Sequence, residues 1–150
     1  MTPVADESVV FNHVGQCTAD LARAVAFYTE LLGFEIEREL VVPDESSAPL
    51  LAVEPPVGLT AVYLTRGSFV LELMTFDRPS NPDRSERVMN EPGLTHLSIS
   101  VDELDATVDR VPALGGEVVF RSPVAAMVRD PDGQLLELLP MAYRRHMLGR

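Results

Sequence analysis

The strongest constraint on what this chain can fold into is an internal repeat. A short apolar run carrying His13 is followed within seven residues by Asp20, then by an amphipathic stretch, then by Gly33 thirteen residues after the aspartate. A second run carrying His96 is followed by Asp102, another amphipathic stretch, and Gly115 at the same thirteen-residue spacing. Identity between the halves is low, but their grammar is shared. A chain of 150 residues makes one domain of common size, or two small halves fused into one.

Each repeat reads as a strand, a helix and then three strands. Asp20 and Asp102 are expected to cap helix N-termini through a carboxylate oxygen. Leu21, Val25, Tyr28 and Leu32 recur at helical spacing, as do Leu104, Val108, Val111 and Leu114. Gly33 and Gly115 suit the left-handed residue that ends a helix. Pro112 falls inside the second helix and should kink or shorten it. Strand-like runs follow at 34–42, 58–65 and 68–76 in the first half, and at 116–121, 124–129 and 134–139 in the second. Turn signals are Arg66-Gly67 and Asp130-Pro131-Asp132-Gly133. Pro43–Val57, with four prolines, reads as a loop or lid. The polar stretch 77–93 reads as the linker between a first module at about 9–76 and a second at about 94–140. The tail carries Arg144, Arg145, His146 and Arg150 and is read as solvated or as a short terminal helix, outside any site.

Composition excludes several classes of partner. The net charge is −11, which repels a phosphate backbone and an anionic bilayer surface, so neither nucleic acid nor membrane is expected. Cys17 is the single cysteine, so no intrachain disulfide can form. The opening MTPVADESVV lacks a basic stretch before an apolar core, and no run reaches the roughly 20 apolar residues of a membrane helix. A soluble cytoplasmic protein is the expectation.

Four residues stand out chemically. Glu72 lies in Phe-Val-Leu-Glu-Leu-Met and Glu137 in Leu-Leu-Glu-Leu-Leu. In a strand Glu72 shares its face with Val70 and Met74, and Glu137 with Leu135 and Leu139. A solvated face or an arginine partner would explain one such glutamate. Two of them, in matching strands of two repeats, point to a shared role, because an unpaired buried carboxylate costs several kcal/mol. His13 and His96 occupy the first strand of each repeat. His96 shares a face with Ser98 and Ser100, while Leu97, Ile99 and Val101 face the other way. Two imidazoles and two carboxylates make a site for a divalent ion such as Zn, Ni, Co, Mn or Fe, with no thiolate to select a soft metal.

The runs His13-Val-Gly, Asp20-Leu, Phe27-Tyr28 and Leu31-Leu32-Gly33-Phe34 resemble the opening of vicinal oxygen chelate proteins. So do Gly93-Leu-Thr-His96-Leu-Ser-Ile-Ser-Val-Asp102 and Asp130-Pro-Asp-Gly-Gln-Leu-Leu-Glu137-Leu. This superfamily includes glyoxalase I, methylmalonyl-CoA epimerase, extradiol dioxygenases, and fosfomycin- and bleomycin-resistance proteins. The resemblance implies an α+β fold of two tandem βαβββ modules forming a cup-shaped mixed sheet around one metal. It maps the four ligand positions onto His13, Glu72, His96 and Glu137, a set most similar to that of glyoxalase I. It further implies a homodimer and a small-molecule substrate. Glu72 and Glu137 would be the catalytic bases of a lyase or isomerase that transfers a proton next to a metal-bound carbonyl. Two alternatives remain at this point. One is an Fe(II) extradiol dioxygenase using His13, His96 and Glu137, with Glu72 surplus. The other is an antibiotic-binding resistance protein without turnover. Where glutathione-using relatives carry Arg and Asn, this chain has Cys17 and Phe76, so a different substrate is expected.

Overall fold

The computed structural model describes residues 8–78 and 89–148, the last four through their backbone only. Residues 79–88 of the expected linker, His146 and the extreme C-terminus therefore lie outside the described side chains. The first module runs β1 (Val14–Cys17), α1 (Leu21–Ala26) continuing through a π-helical turn at Phe27–Leu31, β2 (Glu35–Val42), α2 (Asp44–Leu51), β3 (Leu59–Arg66) and β4 (Phe69–Thr75). The second runs β5 (Leu97–Val101), α3 (Leu104–Arg110) with a 3₁₀ turn at Pro112–Leu114, β6 (Glu117–Arg121), β7 (Ala126–Arg129) and β8 (Leu135–Pro140), before α4 (Met141–Leu148). The fold is α+β, with two four-stranded mixed sheets of the same design, ordered β1-β4-β3-β2 and β5-β8-β7-β6. In each, the first strand pairs parallel with the last and the other pairs are antiparallel.

Local chemistry explains most of these elements, with three departures from the sequence reading. Asp20 caps α1 by accepting the Arg23 N–H at 3.0 Å. Asp102 does not cap α3: the helix starts one residue later than that role requires, its N-cap is Glu103, and no side-chain bond closes it. Pro112 stops α3 as expected, and Gly115 follows in the left-handed region at φ 86°. The proline-rich stretch is not a bare loop, since α2 forms inside it. Pro43 occupies the N-cap, where no N–H is needed, and the Ser46 and Ser47 hydroxyls donate to its carbonyl. Pro49 removes one interior hydrogen bond without ending this short helix. Asp44 anchors the far end of the segment by accepting the N–H groups of Val57 and Gly58, both at 3.1 Å. The third departure concerns the histidines. Each precedes its strand by one residue, because β1 opens at Val14 and β5 at Leu97.

A single core lies on the helix side of both sheets. It includes Leu71 and Leu73 of β4, Leu136 and Leu138 of β8, Val108 and Val111 of the α3 region, and Phe27 and Tyr28. In the absence of tryptophan, a chain of edge-on ring contacts fills the first half: Phe27–Tyr28, Tyr28–Phe34 and Phe34–Phe69, with centroids 5.4 to 6.0 Å apart. The modules meet closely at Gly116. A Cβ there would lie 2.6 Å from the Arg129 carbonyl and 2.8 Å from Phe27, so only glycine fits.

The joint between the modules is polar as well as apolar. Asp130, only 3% exposed, begins the Asp-Pro-Asp-Gly turn between β7 and β8. Its Oδ1 accepts the N–H groups of Asp132 and Gln134, each at 2.9 Å. Its Oδ2 accepts the Tyr28 hydroxyl at 2.7 Å and Gln16 Nε2 at 2.6 Å, both from the other module. Asp132 adds bonds from the Ala19 N–H and the Thr18 hydroxyl. Burial pushes the Asp130 carboxyl up, while its four donors pull it back. Burial and the Asp130 charge raise the Tyr28 phenol well above its ordinary value.

Two outcomes follow from this joint. Asp130→Ala strands four donors in a buried place, and should lower unfolding stability by about 3 kcal/mol. Asp130→Asn should cost nearer 1 kcal/mol, because Gln16 can flip its amide and the Tyr28 hydroxyl can turn to accept. Denaturant titration measures both. For Tyr28 the folded state keeps the proton that the unfolded chain releases near pH 10, so its contribution is complete below that pH and falls as pH rises. The stability gap between the native chain and Tyr28→Phe should therefore narrow by about 1.4 kcal/mol between pH 8 and 11.

Candidate functional site

The parallel strand pairs place a histidine beside a glutamate twice, in the same register. Gly15 of β1 lies opposite Glu72 of β4, and Ser98 of β5 lies opposite Glu137 of β8. In each case the histidine is two residues before that partner, so it shares the glutamate's face. This is the face away from the core, since the alternating neighbours Leu71, Leu73, Leu136 and Leu138 are buried on the other side. His13 Nε2 is 3.1 Å from Glu72 Oε2, and His96 Nε2 is 3.9 Å from Glu137 Oε1. The side chains are partly shielded, with exposures of 33% and 13% in the first pair and 28% and 32% in the second.

Both pairs are held from behind. His13 Nδ1 is 2.5 Å from Asn12 Oδ1, and His96 Nδ1 is 2.8 Å from the Thr95 hydroxyl. The residue preceding each histidine thus occupies one ring nitrogen and leaves Nε2 for the site. The Tyr63 hydroxyl donates to Glu72 Oε1 at 2.7 Å, and the Ser98 hydroxyl donates to Glu137 Oε1 at 2.8 Å. The Tyr63 ring also stands edge-on to His13, 5.7 Å away. The hydrogen bond to Glu72, with burial behind it, raises the Tyr63 phenol to about 12.

The contact between His13 and Glu72 has a chemical consequence. With Nδ1 against the Asn12 side-chain oxygen, Nε2 is the ring nitrogen turned toward the carboxylate oxygen. A ring nitrogen and a carboxylate oxygen at this distance call for a proton or a cation between them. Oriented imidazole, anchored carboxylate and backing hydrogen bonds are the parts from which metal ligands are built. The donor chemistry of all four residues therefore fits a divalent ion. One chain, however, brings them together two by two. Among the described residues no group of three or more His, Cys, Asp or Glu side chains converges to hold a metal.

Sequence reasoning missed Tyr63, Asn12 and Thr95. Tyr63 was within reach, because the Arg66-Gly67 turn pairs Arg66 with Phe69, and counting back along that hairpin sets Tyr63 against Glu72. Cys17 lies on the same face as His13 and Gly15 and is exposed. Partial burial, then the nearby Asp132 charge, push its thiol up, which disfavours a thiolate role.

Residues 10–138 match the model of the Glyoxalase/Bleomycin resistance protein/Dioxygenase superfamily. A lactoylglutathione lyase, GLX1 of Arabidopsis thaliana, is 32% identical over 138 residues, covering 86% of this chain and 43% of that protein. The chain thus spans less than half the length of that plant relative. The uncharacterized protein YaeR of Escherichia coli is 30% identical, covering 85% of this chain and 92% of its own. Among solved structures, the trypanothione-dependent glyoxalase I of Leishmania major is 25% identical with a TM-score of 0.73, covering 95% of this chain and 94% of its own. A glyoxalase family protein from Bacillus cereus, 20% identical, shares the fold with a TM-score of 0.77 over 91% and 97% of the two chains. This chain belongs to the glyoxalase/bleomycin resistance/dioxygenase superfamily.

The Tyr63–Glu72 bond is open to a direct check. In Glu72→Ala the phenol should titrate nearer its ordinary value of about 10, while Glu137→Ala should leave it unchanged. Carbon NMR of the Tyr63 ring across alkaline pH distinguishes the two.

Proposed function

We propose that this member of the superfamily is a divalent-metal-dependent, glyoxalase-like lyase or isomerase that moves a proton at the carbon next to a carbonyl of a small molecule. The observation that carries this reading is the pair of His–Glu constellations in identical register, each with its carboxylate anchored by a hydroxyl. The similarity to proteins named lactoylglutathione lyase supports the reaction class. Two imidazoles and two carboxylates suit Zn, Ni, Co, Mn or Fe. A bound ion supplies positive charge where a carbonyl oxygen becomes negative as the neighbouring C–H loses its proton.

The chain's own groups divide the remaining work. His13 and His96 offer Nε2 because Asn12 and Thr95 hold the other nitrogen. Glu72 keeps Oε1 tied to Tyr63 and Oε2 against His13 Nε2, so Oε2 takes a substrate proton by swinging away from the histidine. Glu137 keeps Oε1 against Ser98 and His96, which leaves its Oε2 to return or receive one. A carboxylate fixed at one oxygen presents the other in a defined place, as proton transfer requires. Glu72 is matched to His13 as Glu137 is to His96, so the reading treats it as a working member of the set rather than a surplus residue. Cys17 and Phe76 stand where glutathione-using relatives carry polar partners, and we infer a substrate other than the glutathione adduct. Assays of methylglyoxal with glutathione, mycothiol or bacillithiol, and of methylmalonyl-CoA, on metal-loaded protein cover the nearest candidates. No turnover with any of them would remove these named activities.

We place the complete quartet across two copies of the chain, one giving His13 and Glu72 and the other His96 and Glu137, because a single chain holds them as two separate pairs. A His13→Ala/Glu72→Ala chain and a His96→Ala/Glu137→Ala chain should each fail to retain a tightly bound ion. Mixed and refolded together in equal amounts, they should recover about a quarter of the native sites, since half the dimers are mixed and each mixed dimer has one intact site of two. Metal analysis after gel filtration reads the result. No recovery would place the site within one chain.

A further inference from the structure

We infer that Arg38 is an anion-recognition residue, which binds a carboxylate borne by the substrate at a point removed from the reacting carbonyl. The inference rests on the functional reading above for the position of that carbonyl, and on the following observations for the anion.

Register carries Arg38 to the site. On the His–Glu face of the first sheet, Gly15, Glu72, Tyr63 and Arg38 form one cross-strand row. Two strand spacings, about 10 Å, separate the backbone of Arg38 from that of Glu72. Beside this row opens a cleft of about 650 Å³ whose lining includes Glu37, Arg38, Leu40, Tyr63, Thr65 and Val70. A β-bulge in β2 sets this arrangement, because the ladder shifts between Ile36 and Arg38 and leaves Glu37 as the extra residue.

Among the described residues the guanidinium has no hydrogen-bond or ion-pair partner, in a chain with a net charge of −11. Arg121 is bound to Asp105 and Asp109, Arg129 to Glu117, Arg23 to Asp132, and Arg78 and Arg110 to backbone carbonyls. Arg38 makes no hydrogen bond or ion pair among the described residues, although Glu37 and Glu39 flank it in sequence. Arg66, also without such a partner, leans on Gly33 instead of reaching the cleft. The fold does not impose a cation at this place. The second sheet repeats the bulge between Val118 and Phe120, and its equivalent row reads Ser98, Glu137, Met127 and Phe120. There the position of Arg38 is taken by an exposed phenylalanine. The two rows share a frame and differ in chemistry: one ends in a free fork of donors suited to a carboxylate, the other in an apolar ring.

The test uses the zinc-loaded full chain and three probes: acetohydroxamate, adipic acid monohydroxamate, and the methyl ester of the latter. The hydroxamate end supplies two vicinal oxygens, and the other end is a carboxylate or its neutral ester. Calorimetry should show the carboxylate binding about tenfold more tightly than the ester to the native chain. That preference should vanish in Arg38→Met and survive in part in Arg38→Lys, while acetohydroxamate binds all three chains alike. Arg38 is exposed, so these variants should fold. Equal binding of acid and ester, or a preference unchanged in Arg38→Met, would overturn the inference. Zinc-dependent acetohydroxamate binding that fails in every chain would count against the metal reading alone. In that case the zinc-free chain titrated with glutarate decides: a saturable shift of the Arg38 Nε–H resonance sustains the anion site, and no shift overturns it.

Discussion

A buried carboxylate at the joint of the two modules determines where the first strand lies, and the strand determines where the first histidine points. Asp130 takes Gln16 of β1 and Tyr28 of the following helix on one oxygen, and the backbone of its own turn on the other. Gln16 is on the core face of β1, one residue from Gly15 on the opposite face. Fixing one fixes the other, because side chains alternate along a strand. A register slip of two residues in this parallel pair would move His13 about 6 to 7 Å along β4 and away from Glu72. The polar joint is therefore more than a stabilising contact between modules. It holds the alignment on which the His–Glu pair depends.

Much of this was legible in the sequence, for definable reasons. The six later strands lie within two residues of the expected bounds because apolar alternation and turn residues are local signals. The sequence set each glutamate among apolar neighbours on its own face, and the structure puts the core on the other one, with Leu71, Leu73, Leu136 and Leu138 buried there. Helix α2 was hidden by its prolines, whose positions at the cap and within a short helix are compatible with it. Asp102 misled because Glu103, with no capping bond from its side chain, is the actual boundary. The Asp130 hub could not be read, since its partners Gln16 and Tyr28 are more than a hundred residues away and nothing local marks them. The sequence singles out His13, Glu72, His96 and Glu137, and the structure brings them together as two His–Glu pairs at matching places in the two sheets. Whether the pairs meet depends on how whole modules are arranged, and strand periodicity carries no information about that.

The two modules agree most closely where the geometry of the pair requires it. Both place a histidine one residue ahead of the first strand, a glutamate opposite the residue two positions on, and a bulge at the same place in the outer strand, β2 or β6. Away from those positions they diverge. Gly15 faces Ser98, Tyr63 faces Met127, and Arg38 faces Phe120 in the comparison of the two rows. An ion has no need of different surroundings on its two sides, but an asymmetric small molecule does. The divergence falls on the neighbours of the His–Glu pairs, and the shared pattern on the pairs themselves.

One of these differences is compensatory. Each glutamate keeps one oxygen bonded to a hydroxyl, yet the hydroxyl comes from opposite neighbouring strands. In the first module the position beside Glu72 on β1 is Gly15, which has no side chain, and a Cβ there would press on the end of Met74 at 3.2 Å. The donor comes instead from Tyr63 on β3. In the second module Ser98 on β5 supplies it, and Met127, the counterpart of Tyr63, is apolar. Both modules thus fix one oxygen of their glutamate, each with a donor from a different strand. A glutamate serving only as an ion's ligand gains little from a second fixed oxygen. One that also offered a defined oxygen to a substrate proton, as proposed above, would gain orientation from the backing hydroxyl.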